Sequence, residues 1–240
     1  MNVYNRGIKG LDTRSLVNFL IKTFIIGGAA GLLMSFITKA EDYARFLSPF
    51  DLWELSGLLF FFTGLGLTFS VISMTGFFAY LFLHRFALGI FKSFWPTVQV
   101  LVIAFVLFDL VYFPYIGTEN IHLIWFILIA GALLACSWIV ARKKAKETNR
   151  SAFIPTLFFM VVLTTLEWVP GLQVQGSDYA WLMIAPLLAC NTYQILTLHR
   201  INERVSQKKA KQKAAKETSN KKTPKSSKNQ TKKIVSVEIK

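Results

Sequence analysis

Four ionisable side chains stand in segments otherwise built from apolar residues. Asp109 lies in F-D-L-V-Y-F, Glu167 lies three residues before Pro170, and His84 and Arg85 close a long apolar run. Ionisable groups at membrane depth are costly and are functional candidates by default. A carboxylate there could bind a ligand, pair with a basic side chain or contact a partner's helix. The plainer reading is an outer-leaflet carboxylate that reaches headgroups or makes an interhelical hydrogen bond. That reading suits Glu167, which is close to a span end, better than Asp109, which sits about 9 Å inside the Tyr115 end at 1.5 Å per residue. Lys22 is the one basic residue deep in a run, and its stem can snorkel to the inner side. Lys22 and Asp109 sit at opposite depths, so they are not expected to pair.

Other chemistry finds little support. Cys136 and Cys190 both fall inside apolar runs, where small packing residues are expected and a disulfide framework is not. His84, His122 and His199 sit at run ends, and no His/Cys/Asp/Glu group has metal-ligand spacing. There is no glycine-rich phosphate loop, no G-x-S-x-G and no H-E-x-x-H. No catalytic, cofactor-binding or metal residue is therefore assigned, and a non-enzymatic protein is expected.

The elements that must position these residues follow from composition. Of 240 residues 53% are hydrophobic and 22 are Phe, yet the net charge is +14. Only 17% are charged, against roughly 25% in soluble domains. From His199 onward there are 14 Lys/Arg against Glu203, Glu217 and Glu238, a net of +11, while residues 1–198 carry only +3. An apolar body is joined to a polybasic tail. Six apolar runs, at 16–37, 55–83, 95–115, 121–141, 152–170 and 179–198, each approach or exceed the roughly 20 residues that span a bilayer. Too little polar sequence remains between them to cover a soluble core. The expected fold is all-α, a polytopic membrane domain over 1–198 with six transmembrane helices. The first run lies well inside the chain with no small-x-small cleavage site after it, so it is read as retained, and neither end carries a lipidation signature.

Charge sets the topology, because cytoplasmic loops concentrate Lys and Arg. Arg6, Lys9 and Arg14 precede the first run. Lys39 and Arg45 are outweighed by four acids in 38–54, Arg85 and Lys92 stand alone in 84–94, and 116–120 has only Glu119. Five basic residues face Glu147 in 142–151, 171–178 has only Asp178, and the basic tail follows. The sign alternates throughout, so both termini are placed in the cytoplasm of a multi-pass protein of the cytoplasmic membrane. Trp53, Trp95, Trp125, Trp138, Trp168 and Trp181 all lie within about five residues of a run end, as an aromatic belt requires. The second run, with no charge over 29 residues, would be about 43 Å long as a helix. It is expected to tilt or to break near Gly76, ahead of an interfacial segment with His84, Arg85 and Lys92. A seventh crossing through 86–94 would invert every later loop. Gly27 and Gly31, four apart in the first run, are helix-packing positions, since small residues let helices approach closely in lipid.

The tail, 199–240, continues with helix formers to Glu217. Residues 218–233, rich in Lys, Ser, Thr and Asn with Pro224, are expected to be disordered. Its expected partner is the anionic inner leaflet, then an acidic protein. Nucleic acid is not expected, since the tail has no aromatic residue to stack bases.

Three segments carry a family resemblance: G-F-F-A-Y-L-F-L-H-R-F-A-L-G-I-F (76–91), A-F-V-L-F-D-L-V-Y-F (104–113) and S-P-F-D-L-W-E-L (48–55). With the six-run layout, they resemble the KinB-signalling pathway activation (KbaA) family of spore-forming Firmicutes over residues 14–200. The resemblance implies a membrane accessory protein needed by the sensor histidine kinase KinB, which feeds the phosphorelay that starts sporulation. It implies a regulator with a membrane kinase as partner, and it carries over no catalytic residue. His84, Arg85 and Asp109 fall inside the matching segments. Two other readings stand beside it. A small transporter or ligand-binding protein would use Asp109 and Glu167, with Gly76 and Pro186 as helix breaks, although no repeat relates the halves. An intramembrane lipid-modifying enzyme would need a convergent catalytic set that the sequence lacks.

Overall fold

In an apolar setting each backbone N–H and C=O must be satisfied within its own segment, which long helices achieve. The computed structural model describes residues 13–47, 51–117, 122–173 and 177–222, and every regular element among them is helical. Helix α1 is Thr13–Thr38, and a short amphipathic α2, Ala40–Leu47, follows in what reads from sequence as a charged connection. Helix α3 is Leu52–Phe91, opened by Asp51, whose Oδ1 accepts from the Trp53 and Glu54 N–H groups. It runs unbroken through Gly76. Helix α4 is Trp95–Gly117 and α5 is Leu123–Glu147. Helix α6, Phe153–Phe158, passes through a π-helical turn, Phe159–Leu163, into α7, Thr164–Gln173. Helix α8 is Ser177–Lys222.

Residues 218–222 are thus helical where disorder was expected, because no Pro or Gly lies between Pro186 and Pro224 to stop the helix. Arg6, Lys9, Glu119 and the rest of the tail from 223 lie outside the described residues. The compact body is Thr13–His199. Residues 200–222, the remainder of α8, are helical in their own right.

Five stretches are long and apolar enough to cross a membrane by length and composition: Arg14–Thr38, Leu52–Phe113, Leu123–Glu147, Arg150–Leu172 and Tyr179–Ile201. The count is five and not six because α3, a 3-10 turn at Lys92–Phe94 and α4 form one unbroken helical stretch of 62 residues. That stretch is not one rod. Lys92 has φ 47° and ψ −115°, and Trp95 Nε1 donates to His84 Nδ1 at 3.0 Å. On a straight helix residues eleven apart would be about 16 Å from each other along the axis, beyond the reach of both side chains. The backbone changes direction at Lys92.

The body has an apolar outside and a partly polar inside. Phe60, Phe82, Ile37 and Phe94 are among many large apolar side chains left exposed, at 79%, 75%, 74% and 72%. Meanwhile Thr23, Ser73, Gln99, Ser137, Asn191 and Gln194 are fully buried. An exterior of this kind is unfavourable in water and suits hydrocarbon. Helices α1 and α3 meet backbone to backbone. A Cβ at Gly31 would lie 2.6 Å from Gly66 Cα, and one at Gly27 would lie 3.0 Å from Gly66 O and from Cys190 Sγ. Tyr43 of α2 closes one end of this pair, buried against Phe36 and Phe62 and hydrogen-bonded to Ser35 at 2.8 Å. The main apolar cluster draws Phe69, Leu110, Leu133, Trp168, Met183 and Leu187 from five helices.

Candidate functional site

Three helices each place a pair of residues three apart on one face, and the pairs converge. Ser73 and Gly76 come from α3, Thr164 and Glu167 from α7, and Asn191 and Gln194 from α8. Positions i and i+3 are neighbours on a helix surface, so α7 and α8 each offer two polar side chains in an apolar stripe, and α3 offers one beside the gap at Gly76. Asn191 sits at the centre. Its Nδ2 donates to Glu167 Oε2 at 2.8 Å and to Thr164 Oγ1 at 2.9 Å. Its Oδ1 accepts from Ser73 Oγ at 2.7 Å, and Ser73 Oγ in turn accepts from Gln194 Nε2 at 3.2 Å. Ser73, Thr164, Asn191 and Gln194 are fully buried and Glu167 is 8% exposed.

Glycine at 76 makes room for the acid. A Cβ there would meet the Glu167 carboxyl group, with Cδ at 2.9 Å. Glu167 Oε1, on that side, has no hydrogen-bond partner among the described residues, and neither does Gln194 Oε1. Burying a carboxyl among apolar helices is expensive unless it is hydrogen-bonded, and Asn191 supplies that bond. The π turn ends one residue before Thr164. Such turns occur often at functional sites. On its other side Tyr80 of α3 donates to Pro155 O at 2.8 Å, so α3 grips this segment at two levels.

A second polar group ties α5 to α8. Buried Lys144 Nζ donates to Ile195 O at 2.8 Å and contacts His199 Nδ1 at 2.6 Å, while His199 Nε2 faces Glu147 Oε2 at 3.4 Å.

The residues singled out from sequence are distributed as follows. Glu167 is in the network. Asp109 is half-buried on α4 and makes no hydrogen bond or ion pair among the described residues. His84 accepts from Trp95 in the α3–α4 turn, and its neighbour Arg85 is exposed. Gly27 and Gly31 lie in the α1–α3 contact. Cys190 packs in the interior with Sγ 3.5 Å from Thr23 O, whereas Cys136 is exposed. Trp168 and Trp95, expected in an interfacial belt, are core residues with bonded indole N–H groups, Trp168 donating to Ala180 O at 2.7 Å. Sequence reading missed Ser73, Thr164, Asn191 and Gln194. The available signal was two side-chain amides three apart in an otherwise apolar run, where polar side chains commonly join helices. No group of three or more His, Cys, Asp or Glu residues that could hold a metal occurs among the described residues.

Comparison with known proteins gives two matches. Residues 27–201 match the KbaA family, described as KinB-signalling pathway activation in sporulation. The KinB-signaling pathway activation protein of Bacillus subtilis (strain 168) is 38% identical over 192 residues, covering 78% of this chain and 97% of the relative. No solved structure matches.

Proposed function

The chain belongs to the KbaA family of KinB-signalling pathway activation proteins, and from that premise we propose that it is a non-enzymatic, multi-pass regulator of the cytoplasmic membrane that activates a KinB-type sensor histidine kinase. The observation that carries the reading is the extent of the family match. It spans every residue of the buried network, from Ser73 to Gln194, and stops at residue 201. Activation is therefore assigned to the helical body, and the polybasic tail beyond it is assigned to the anionic inner leaflet.

The membrane topology is six spans with both termini in the cytoplasm. The change of direction at Lys92 and the His84–Trp95 bond support dividing Leu52–Phe113 into two crossings, and the alternating loop charges support the orientation. The kinase is engaged through helix–helix or juxtamembrane contact and feeds the phosphorelay that starts sporulation, a reading supported by the family's description as KinB-signalling pathway activation in sporulation. The network supplies what such a regulator needs. Asn191 locks α3, α7 and α8 in one mutual register, so their outer surfaces are offered to the partner in one arrangement. Asp109, outside the network, gives a transporter no second acid beside Glu167.

The test is deletion and complementation in a spore-forming host. Removing the protein should silence output that depends on one sensor kinase, leave other kinases active, and allow co-purification of that kinase from solubilised membranes when the protein is restored. Unchanged kinase output in the deletion strain would contradict the reading.

A further inference from the structure

The stretch Trp138–Phe153 builds a site that the buried network does not use. On α5, residues 138, 142 and 145 recur at four- and three-residue steps on one face, Lys146 follows 142 by four, and Asn149 stands just past the helix end. The apolar run of α5 ends at Ala141, and Arg142, Lys146 and Arg150 follow. Asn149 Oδ1 accepts from the Ser151 N–H and hydroxyl at 2.5 and 2.7 Å, opening the tight turn Arg150–Ala152. That turn brings Phe153 edge-on to Trp138, with ring centroids 4.9 Å apart. The result is a groove of about 830 Å³ lined by Trp138, Arg142, Ala145, Lys146, Asn149, Arg150 and Phe153. Its floor is aromatic, and the Arg142 guanidinium lies over the Trp138 ring at 5.5 Å.

Among the described residues, three cations and no acid line it. The nearby acid, Glu147, faces His199 on the α8 side. Below Trp138 the same face of α5 continues through Ala135, Gly131, Leu128 and Ile124, all exposed, with nothing within 4 Å of a Cβ at Gly131. A polar, cationic cup thus opens onto a smooth apolar track where the helix leaves hydrocarbon. We propose that this groove binds the phosphodiester headgroup of one anionic phospholipid, with an acyl chain lying along the track. Basic pockets at the cytoplasmic ends of spanning helices are suited to such headgroups. An acidic protein segment would match the charge but would have no use for the apolar track.

The inference rests on the membrane reading above and is tested with the full chain in phosphatidylcholine vesicles carrying spin-labelled phosphatidylglycerol. The motionally restricted lipid fraction should favour phosphatidylglycerol over labelled phosphatidylcholine. Combining Arg142→Gln, Lys146→Gln and Arg150→Gln should remove the part of that preference that comes from this groove, with the restricted phosphatidylglycerol fraction falling toward the phosphatidylcholine level. Ala145→Trp, which fills the groove without changing charge, should lower it comparably, while Gly64→Ala on α3, which is not part of the groove lining, should leave it. Equal preference in the wild type and both groove variants would overturn the site. Displacement by millimolar glycerol phosphate would also overturn it, as would a photocrosslinker at Ala145 that labels a membrane protein and not lipid in cells. Failure of the chain to insert into vesicles would instead remove the membrane reading, and this site with it.

Discussion

Asn191 of α8 donates to Glu167 of α7 at 2.8 Å inside a body whose exterior is apolar. The two residues come from different helices, and the same Asn191 side chain also binds Ser73 of α3. One amide therefore satisfies polar groups on two neighbours, and losing it leaves both incompletely partnered.

The first consequence is an energetic coupling. Interhelical hydrogen bonds in membranes contribute modestly, about 0.6 kcal/mol on average and about 1.7 at most. A double-mutant cycle with Asn191→Leu and Glu167→Leu, read by thermal unfolding in detergent, should give a coupling of about 0.5–1.5 kcal/mol. Strict additivity would mean that the contact does not form.

Gly76 is expected to be intolerant for a reason local to one side chain. Alanine is the better helix former, so Gly76→Ala should preserve helicity by circular dichroism. Its Cβ would nonetheless collide with the Glu167 carboxyl group and displace it from Asn191. Pathway output should fall, and Glu167→Asp in the same chain, shorter by one methylene, should restore part of it.

The glycines of α1 and α3 should divide into two classes. Gly31→Val forces apart backbones already in contact, with Gly66 Cα and N at 2.6 and 3.1 Å from the new Cβ. Overpacking of this kind costs about 1–3 kcal/mol, measurable as a lowered Tm in detergent. Gly64→Ala in α3 meets nothing within 4 Å and should leave the Tm unchanged or slightly higher, because Ala favours helix.

The bend at Lys92 between α3 and α4 supplies a backbone test. Lys92 holds φ 47° with ψ −115°, a sparsely populated conformation that costs a side-chain-bearing residue about 1–3 kcal/mol and glycine little. Lys92→Gly should be neutral or stabilising. Trp95→Phe removes the donor to His84 and should destabilise by about 0.5–1.5 kcal/mol.

Much of the helical layout is legible in the apolar runs. The run at 16–37 becomes Thr13–Thr38, 95–115 becomes Trp95–Gly117, and 121–141 gives the apolar part of Leu123–Glu147. Run length fixes where a helix can persist without water. Helix α2 is hidden because its charged residues resemble a loop, although Tyr43 carries the apolar face that anchors it. The site was only half legible. Glu167 announces itself as a lone acid near an apolar run's end, but its neighbours are set by tertiary packing. Ser73 and Asn191 are 118 positions apart and Ser73 and Gln194 are 121 apart, so no local spacing rule joins them. Burial was likewise invisible for Trp168, whose position in sequence suits an interfacial belt equally well.

The direct test of the network's role is output from a KinB-dependent reporter in cells whose only copy carries Asn191→Leu, normalised to the amount of protein in the membrane fraction. If the Ser73–Asn191–Glu167 contact sets activation, output falls toward the level of the deletion strain while membrane abundance stays at the wild-type level. Wild-type output at equal abundance would contradict it.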